Sequence, residues 1–431
     1  MQRRQFLTLA GATALVSSLP LSANAAVGAT DVVQTWYRLV LELVRHTATY
    51  SPPVAARAFA YMGVAGYEAA AVGTTLAGQL HDLTPVPARE AADYDEALVQ
   101  HGVLAEAVRT FFGNTGPSGQ RAMAAMQEKM EARLRQGVPV DVANRSLDYG
   151  TAVAKHIEAW SLNDGGAVVE NMGFPMQWTL QQGPEHWVPT SSLVQQQAPL
   201  LPDWSKNRTF AMVNGLSCQL IAPPAYSEDP NSQFYKEAME VYEASQVLTD
   251  EQQVIARFWS DDPMLSPTPP GHWVSVTLEI LKRDNVDLAH TVDAMARLGI
   301  GLADAFIACW QAKFQYDLVR PVTYINRVID PKWQPSLITP PFPEYPSGHS
   351  TQSGAAAAVL TAVFGENFAF EDATHVEDDI PARPFASFWD AAKEAAISRL
   401  YGGIHFRSAI DLGLEQGRCV AEFTNALKTL A

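Results

Sequence analysis

The sequence contains few cysteines, and this scarcity excludes small disulfide-built proteins and zinc-stabilised modules. Its three cysteines, Cys218, Cys309 and Cys419, are odd in number and widely spaced. They form neither the even set of a disulfide framework nor the paired spacing of a zinc site. We therefore expect that disulfides do not hold this protein together. Cys309 lies in an apolar helical stretch and is predicted to be a buried thiol.

Basic residues and long apolar runs are also scarce. The chain has 30 Lys and Arg residues against 46 Asp and Glu residues, which gives a formal net charge of -16. No basic stripe is present to neutralise phosphates, and this argues against nucleic-acid binding. A small anion held by a local group of cations remains compatible with this charge. The alanine-rich runs are too short, or too interrupted by charge, to predict a membrane span.

The first residues have the features of an export signal. A positive start is followed by a modest apolar stretch and the small-residue site A-N-A, which predicts cleavage near Ala25 or Ala26. Arg3 and Arg4, followed by Q-F-L, indicate the twin-arginine route, with an ordinary secretory signal as the alternative. We expect a signal peptide at 1–26 and a periplasmic or secreted mature protein.

Alternating polar and apolar patterns are scarce in the rest of the chain, so the protein is predicted to be all-α. A loop-rich stretch at 163–207 connects the two halves of the chain. We place the boundary within it, between an N-terminal helical region at 27–204 and a C-terminal helical catalytic region at 205–431. We expect two packed helical bundles, with the functional pocket in the C-terminal bundle. The later helices are predicted near 94–112, 118–135, 140–162, 232–246, 249–259, 273–283 and 288–316.

The first of three short segments that carry candidate functional residues runs from Lys313 to Pro321. Lys313 and Arg320 are separated by about two helical turns and project from the same face. Pro321 disfavours helical geometry at the residue before it, which places Arg320 at a helix end. The alternative is that both cations are simply solvated.

The second segment is P-S-G-H at 346–349, which predicts the start of a helix. Ser347 can cap the helix, and the free N–H groups at this end favour an anion. Gly348 lets the backbone approach a ligand that a side chain would block. His349 would stand beside that ligand with a side chain that transfers protons near neutral pH. The alternative is an ordinary capping motif with an incidental histidine.

The third segment, S-R-L-Y-G-G-I-H-F at 398–406, turns the chain between two predicted helices. Its glycine pair ends the first helix, with Arg399 in the last turn of that helix and His405 at the start of the next one. A glycine-terminated helix with a surface arginine is the alternative. Taken together, the three segments supply three cations, neutral donors and two imidazoles. This set suits one compact tetrahedral oxyanion.

These three blocks, K-x6-R-P, P-S-G-H and S-R-x5-H in this order, resemble the signature of vanadium-dependent haloperoxidases. The same signature is found in type 2 phosphatidic-acid-phosphatase-like acid phosphatases. The resemblance implies an all-α fold and vanadate as the cofactor, with His405 bonded to vanadium. It implies that His349 takes a proton from hydrogen peroxide and that Lys313 polarises the activated oxygen. The residues implied to hold the vanadate oxygens are Lys313, Arg320, Ser347, Gly348 and Arg399.

Residues outside the signature match positions in the chloroperoxidase-like branch of the haloperoxidases. Trp310 and Phe342 match aromatic residues on the halide side of that pocket, with plain core packing as the alternative. In F-W-S-D-D-P at 258–263, the match implies that Asp262 orients the last arginine, with Asp261 as the second choice. A surface carboxylate or helix cap is the alternative for Asp262. His272, in T-P-P-G-H-W, is expected to be a loop histidine.

The resemblance therefore implies an enzyme that oxidises a halide with hydrogen peroxide to hypohalous acid. An exported acid phosphatase with a phosphohistidine intermediate uses the same residues and is the alternative. A non-catalytic anion binder would need only the cations. Chloride, bromide and iodide all remain open as the halide, and an organic halogen acceptor and a homo-oligomer are both compatible with the resemblance.

Overall fold

The computed structural model describes residues 27–262 and 264–430. The predicted signal peptide at 1–26, with Arg3 and Arg4, lies outside the described residues. Within the described ranges the chain forms fourteen α-helices and one two-stranded hairpin, so the prediction of an all-α fold is confirmed. The helices are α1 (Ala29–Arg45), α2 (Pro52–Ala70), α3 (Glu96–Phe111), α4 (Pro117–Leu134), α5 (Val140–Ser161), α6 (Gly166–Val169), α7 (Gln233–Gln246), α8 (Asp250–Phe258), α9 (Thr268–Arg283), α10 (Leu288–Tyr316), α11 (Pro321–Val328), α12 (Gly348–Phe364), α13 (Phe388–Tyr401) and α14 (Arg407–Asn425).

The hairpin pairs β1 (Phe370–Asp372) with β2 (Arg383–Phe385) in antiparallel register. It lies between α12 and α13. No helix among the described residues is long and apolar enough to cross a membrane.

Helices α2 and α10 pack with their backbones in contact and join the two regions of the chain. A Cβ atom added at Gly63 would lie 2.8 Å from the carbonyl oxygen of Met295. One added at Gly299 would lie 2.8 Å from the Cα atom of Ala60. Side chains do not fit at such distances, so glycine is required at both crossing points. The close contact fixes α10, whose last turn carries Lys313.

One apolar core extends through both regions. It includes Trp36 and Phe59 from the N-terminal region and Leu298 and Phe306 from the C-terminal region. Burial of such large side chains stabilises each by roughly 1.5–3 kcal/mol relative to exposure. The domain boundary at residue 204 stays a prediction.

The expectation about cysteines is wrong in one respect. Cys218 and Cys419 form a disulfide that joins the segment before α7 to α14, with Cα atoms 5.8 Å apart. The two residues are separated by 201 positions, so no local spacing pattern identifies the pair. Cys309 is a free, buried thiol, as predicted.

Candidate active site

The last turn of α10 is anchored to the segment that leads into α12. The buried Lys313 Nζ donates to the carbonyl oxygens of Pro343 at 2.9 Å, Glu344 at 3.0 Å and Pro346 at 2.5 Å. Because an ammonium group has three protons, these contacts use its full donor capacity. Burial lowers the pKa of Lys313 to about 7. Because its donors are occupied, Lys313 would act on the site through the charge of its protonated form, and an anion would have to replace one of the carbonyls to bind it directly.

Arg320 links the first segment to the third. It is the N-cap of α11 and is fully buried. Its Nε donates to the carbonyl of Phe342 at 2.8 Å, and its Nη1 donates to the carbonyl of Ile404 at 3.0 Å. The same Nη1 lies 3.2 Å from Nε2 of His405. Nη2 is buried without a hydrogen-bond partner among the described residues, so it is free to bind an anion.

His405 is oriented by a carboxylate that the sequence does not single out. Its Nδ1 lies 2.8 Å from Oε1 of Glu344, and the same oxygen accepts from the backbone N–H of Phe406 at 2.9 Å. Because that oxygen acts as an acceptor, His405 carries its proton on Nδ1. The lone pair of Nε2 then faces Arg320 and the interior of the site.

Burial and the neighbouring cations both affect the pKa of His405. Burial lowers the pKa of His405 well below its usual value, and the charges of Arg320, Lys313 and Arg399 lower it further. The imidazole is therefore neutral near pH 7, as a metal ligand must be. Burial also raises the pKa of Glu344 to about 8.

The start of α12 presents the second segment to the same site. The Ser347 N–H donates to the carbonyl of Ala409 in α14 at 3.0 Å, and the Ser347 side chain caps the helix by accepting from the Ser350 N–H. At Gly348 an added Cβ atom would meet only the rings of Phe306 and Trp310, each at 3.9 Å. Packing therefore does not require glycine at this position. The absence of a side chain instead leaves the backbone N–H accessible to a ligand.

His349 follows at the second position of α12. Burial lowers its pKa well below the usual value, and the charge of Arg399 acts in the same direction. Its Nε2 has no hydrogen-bond partner among the described residues. The side chain is 17% exposed, against 3% for His405, so His349 has the better access to solvent. A neutral imidazole with a free nitrogen is equipped to accept a proton.

Arg399, in the last turn of α13, does not form the ion pair implied by the resemblance. Within the ranges described, no carboxylate lies within 4.0 Å of its guanidinium nitrogens. The group instead donates to the carbonyl of Trp259 and to Ser398 Oγ. Burial lowers the pKa of Arg399 to about 10, and the charges of Asp261 and Asp262 oppose that change. Asp262 is half-buried and acts on Arg399 by charge alone.

The two predicted aromatic residues form an apolar wall against the cations. The rings of Trp310 and Phe342 lie 5.0 Å apart between centroids. Lys313 Nζ and Arg320 Cζ each lie 5.0 Å from the centre of the Phe342 ring. Trp310 Nε1 donates to the carbonyl of Leu200, which brings the predicted loop-rich stretch over this side of the site. Such a wall would exclude water from an anion bound by these cations.

His272 is not the loop histidine that the sequence predicts. It lies in the first turns of α9, is fully buried and contacts the carboxylates of Asp261 and Asp372. α9 begins at Thr268, because prolines at the first helical positions are compatible with a helix.

The arrangement fits a tetrahedral oxyanion such as vanadate. Three buried cations, an unpartnered arginine nitrogen and a helix N-terminus with a glycine meet beside two neutral imidazoles. His405 Nε2 offers a lone pair for the central atom, and Arg320 Nη2 and the N–H groups at the start of α12 offer donors for oxygens.

Comparisons with known proteins agree with this chemistry. A family model described as the VCPO second helical-bundle domain matches residues 293–331 and 326–429. The solved structure of the first bacterial vanadium-dependent iodoperoxidase is 37% identical, with a TM-score of 0.86, and the match covers 93% of this chain and 97% of that one. A holo-type bacterial vanadium-dependent chloroperoxidase shares the fold, at 16% identity and a TM-score of 0.63, with 89% and 95% of the two chains covered.

A curated relative, the vanadium chloroperoxidase of Curvularia inaequalis, is 26% identical over 211 residues. That match spans 35% of this chain and 35% of that protein, about a third of its length. The match to the iodoperoxidase, by contrast, extends over nearly the whole of both chains. The chain belongs to the vanadium-dependent haloperoxidase family.

Proposed function

We propose that this protein is a vanadate-dependent haloperoxidase that oxidises a halide with hydrogen peroxide to hypohalous acid. The observation that carries the proposal is the orientation of His405. Its Nδ1 is held by Glu344, and its Nε2 lone pair faces a group of buried cations. Vanadate, when bound, supplies a Lewis-acidic centre that activates hydrogen peroxide without changing the oxidation state of vanadium.

The residues around that centre would neutralise the charge of the anion and bind its oxygens. Lys313, Arg320 and Arg399 offset the negative charge of the anion. Their burial strengthens this effect, because water screens them little. The N–H groups at the start of α12 add neutral donors for the oxygens.

His349 is suited to proton transfer. Its unpartnered, buried Nε2 accepts a proton from hydrogen peroxide as the peroxide binds. Trp310 and Phe342 form the apolar side from which a weakly hydrated halide approaches.

Export through the N-terminal signal is part of the proposal. The disulfide between Cys218 and Cys419 supports it, since disulfides persist in oxidising compartments outside the cytoplasm. Peroxide and halide are available there, and a reactive product is kept from the cytoplasm.

The test is a halide-oxidation assay on protein stripped of metal and then loaded with vanadate. We expect oxidation of iodide or bromide that depends on vanadate and hydrogen peroxide, and that phosphate suppresses by competing for the site. Hydrolysis of a phosphate monoester, without halide oxidation after vanadate loading, would contradict the proposal and favour the phosphatase. The Glu68→Gln variant is a suitable reference protein, because it alters a buried carboxylate in the N-terminal region, outside the site.

A further inference from the structure

A second cluster of ligand-type side chains lies behind His349. It consists of Asp261, which follows α8, His272 in α9 and His375, which follows β1. Oδ1 of Asp261 lies 2.9 Å from Nδ1 of His272 and 3.3 Å from Nε2 of His375. All three ligand atoms lie within 4.8 Å of one another, and all three residues are buried. The vanadate donors do not include any of them.

The outer nitrogens of both imidazoles are also held by carboxylates. Nε2 of His272 lies 2.8 Å from Oδ2 of Asp372. Nδ1 of His375 lies 3.1 Å from Oδ2 of Asp378, which also pairs with Arg45. Metal-binding histidines characteristically donate their outer N–H to a carboxylate in this way, which fixes the ring and leaves the inner lone pair for the ion.

A network held by protons alone would place two charged imidazoles side by side. All four ring nitrogens of His272 and His375 face carboxylate oxygens, so satisfying every contact with protons requires two imidazolium ions. Their ring centres lie only 5.0 Å apart in a buried location. Two like charges at that separation repel each other, and Asp261, Asp372 and Asp378 counter this repulsion by pairing with them.

One divalent cation would replace the two inner protons and remove this repulsion. It would carry the same total charge, while both imidazoles became neutral. The charge of the ion would then equal and oppose that of the buried Asp261 and Asp372.

The spacing also suits a small transition-metal ion. With metal–ligand distances of about 2.0–2.2 Å, ligand atoms around a tetrahedral ion lie roughly 3.3 Å apart. The separations of 2.9 and 3.3 Å measured from Asp261 are close to that value. Phe258 and Trp259 enclose the cluster, with the Trp259 ring stacked on His272 at 4.4 Å. Two imidazoles and one carboxylate favour Zn²⁺ or a similar borderline ion over Ca²⁺ or Mg²⁺.

We propose that Asp261, His272 and His375 bind one divalent transition-metal ion, for which Zn²⁺ is the best match. The ion would join α9, the end of α8 and the segment after β1 at a point next to the active site. Oδ2 of Asp261 lies 3.9 Å from Nε2 of His349, so the same ion would hold that carboxylate beside the proton-transferring histidine. It is a positioning site, separate from the vanadate donors.

The test begins with elemental analysis of the full chain, purified without chelator and without a histidine tag. We expect about one equivalent of a divalent transition metal per chain, and tight rebinding of Zn²⁺ and of Co²⁺ after chelation. Co²⁺ reports the site directly through its visible absorption. Vanadium is counted in the same analysis, so failure of this proposal is distinguishable from failure of the proposed function.

Three variants separate a metal site from a structural ion-pair network. His375→Gln should lose the ion and the Co²⁺ spectrum. Asp378→Asn, which keeps all three ligands, should weaken Zn²⁺ binding about 10–100-fold. His290→Gln is the matched control and should bind normally, because His290 forms an exposed pair with Asp287 elsewhere.

Two results would overturn the proposal. One is wild-type protein that contains no transition metal and does not retain added Zn²⁺ after dialysis. The other is His375→Gln or Asp378→Asn protein with the same Zn²⁺ affinity as wild type. Because Asp378 is partly exposed, its variant tests the site even if the buried His375 variant fails to fold.

Discussion

Replacement of Glu344 by Gln tests how the protein prepares His405 for vanadate. Gln keeps an oxygen that accepts from His405 Nδ1–H and Phe406 N–H, so the fold should be retained. What is lost is the negative charge of Glu344. A hydrogen bond to an ionised acceptor contributes about 1.5–3 kcal/mol, against about 0.5–1.5 kcal/mol for a neutral one. The difference, about 1.4 kcal/mol, corresponds to roughly tenfold in the vanadate dissociation constant.

This effect should depend on pH in a defined direction. Burial raises the pKa of Glu344 to about 8, so below that pH the side chain is a neutral acid that resembles Gln. Above it, the carboxylate strengthens the His405 hydrogen bond and makes Nε2 a better ligand. The ratio of dissociation constants, variant over wild type, should therefore be near one at pH 6 and rise to about ten at pH 9.

Equilibrium dialysis with elemental analysis of vanadium measures this ratio without any turnover. Changes in vanadate speciation with pH cancel in the ratio. Glu68→Gln is the matched control, because Glu68 is a buried carboxylate that accepts from the Leu76 N–H in the N-terminal region and does not contact His405. A ratio that is the same at both pH values, or an equal loss in the control, would refute this reasoning.

The remaining predictions concern the two histidines of the site, the open backbone at Gly348 and the disulfide between Cys218 and Cys419. His405→Ala should abolish tight vanadate binding, whereas His349→Ala should retain much of it and lose turnover; equal binding by the two variants in dialysis would contradict the roles assigned here. Gly348→Ala should leave urea stability within about 0.5 kcal/mol of wild type, because its Cβ meets only ordinary contacts, yet weaken vanadate binding at least about tenfold. Replacing Cys218 and Cys419 together by Ser should lower the free energy of unfolding by about 2–5 kcal/mol, and unchanged urea unfolding would show that the disulfide constrains little.

Helix positions follow from the sequence where periodicity and end signals agree. α10 has the predicted bounds, because Asp287 caps its start and an apolar pattern continues to Tyr316. The start of α9 is earlier than predicted, because the prolines after Thr268 suit a first helical turn. Interpreting those prolines as loop residues also led to the wrong prediction for His272.

The proximity of the proposed anion-binding residues could be predicted, because each lies in a short motif with a local physical reason. Glu344 has no such signal: it lies among prolines, and its role arises only when that segment packs against the turn before α14. The sole hint is a carboxylate in an otherwise apolar run. Asp261 and Asp262 are likewise indistinguishable in sequence. The left-handed backbone at Asp261, with φ of 48°, accompanies the burial of its side chain while its neighbour stays half-exposed.

The central claim is that Nε2 of His405 and the buried cations close around one anion. Crystallographic location of vanadium by its anomalous scattering, in protein equilibrated with vanadate, tests this most directly. We expect a single vanadium site bonded to Nε2 of His405, with its oxygens near Arg320, Arg399 and the N–H of Gly348. Vanadium bound elsewhere, or separated from that nitrogen by a protein side chain, would contradict it.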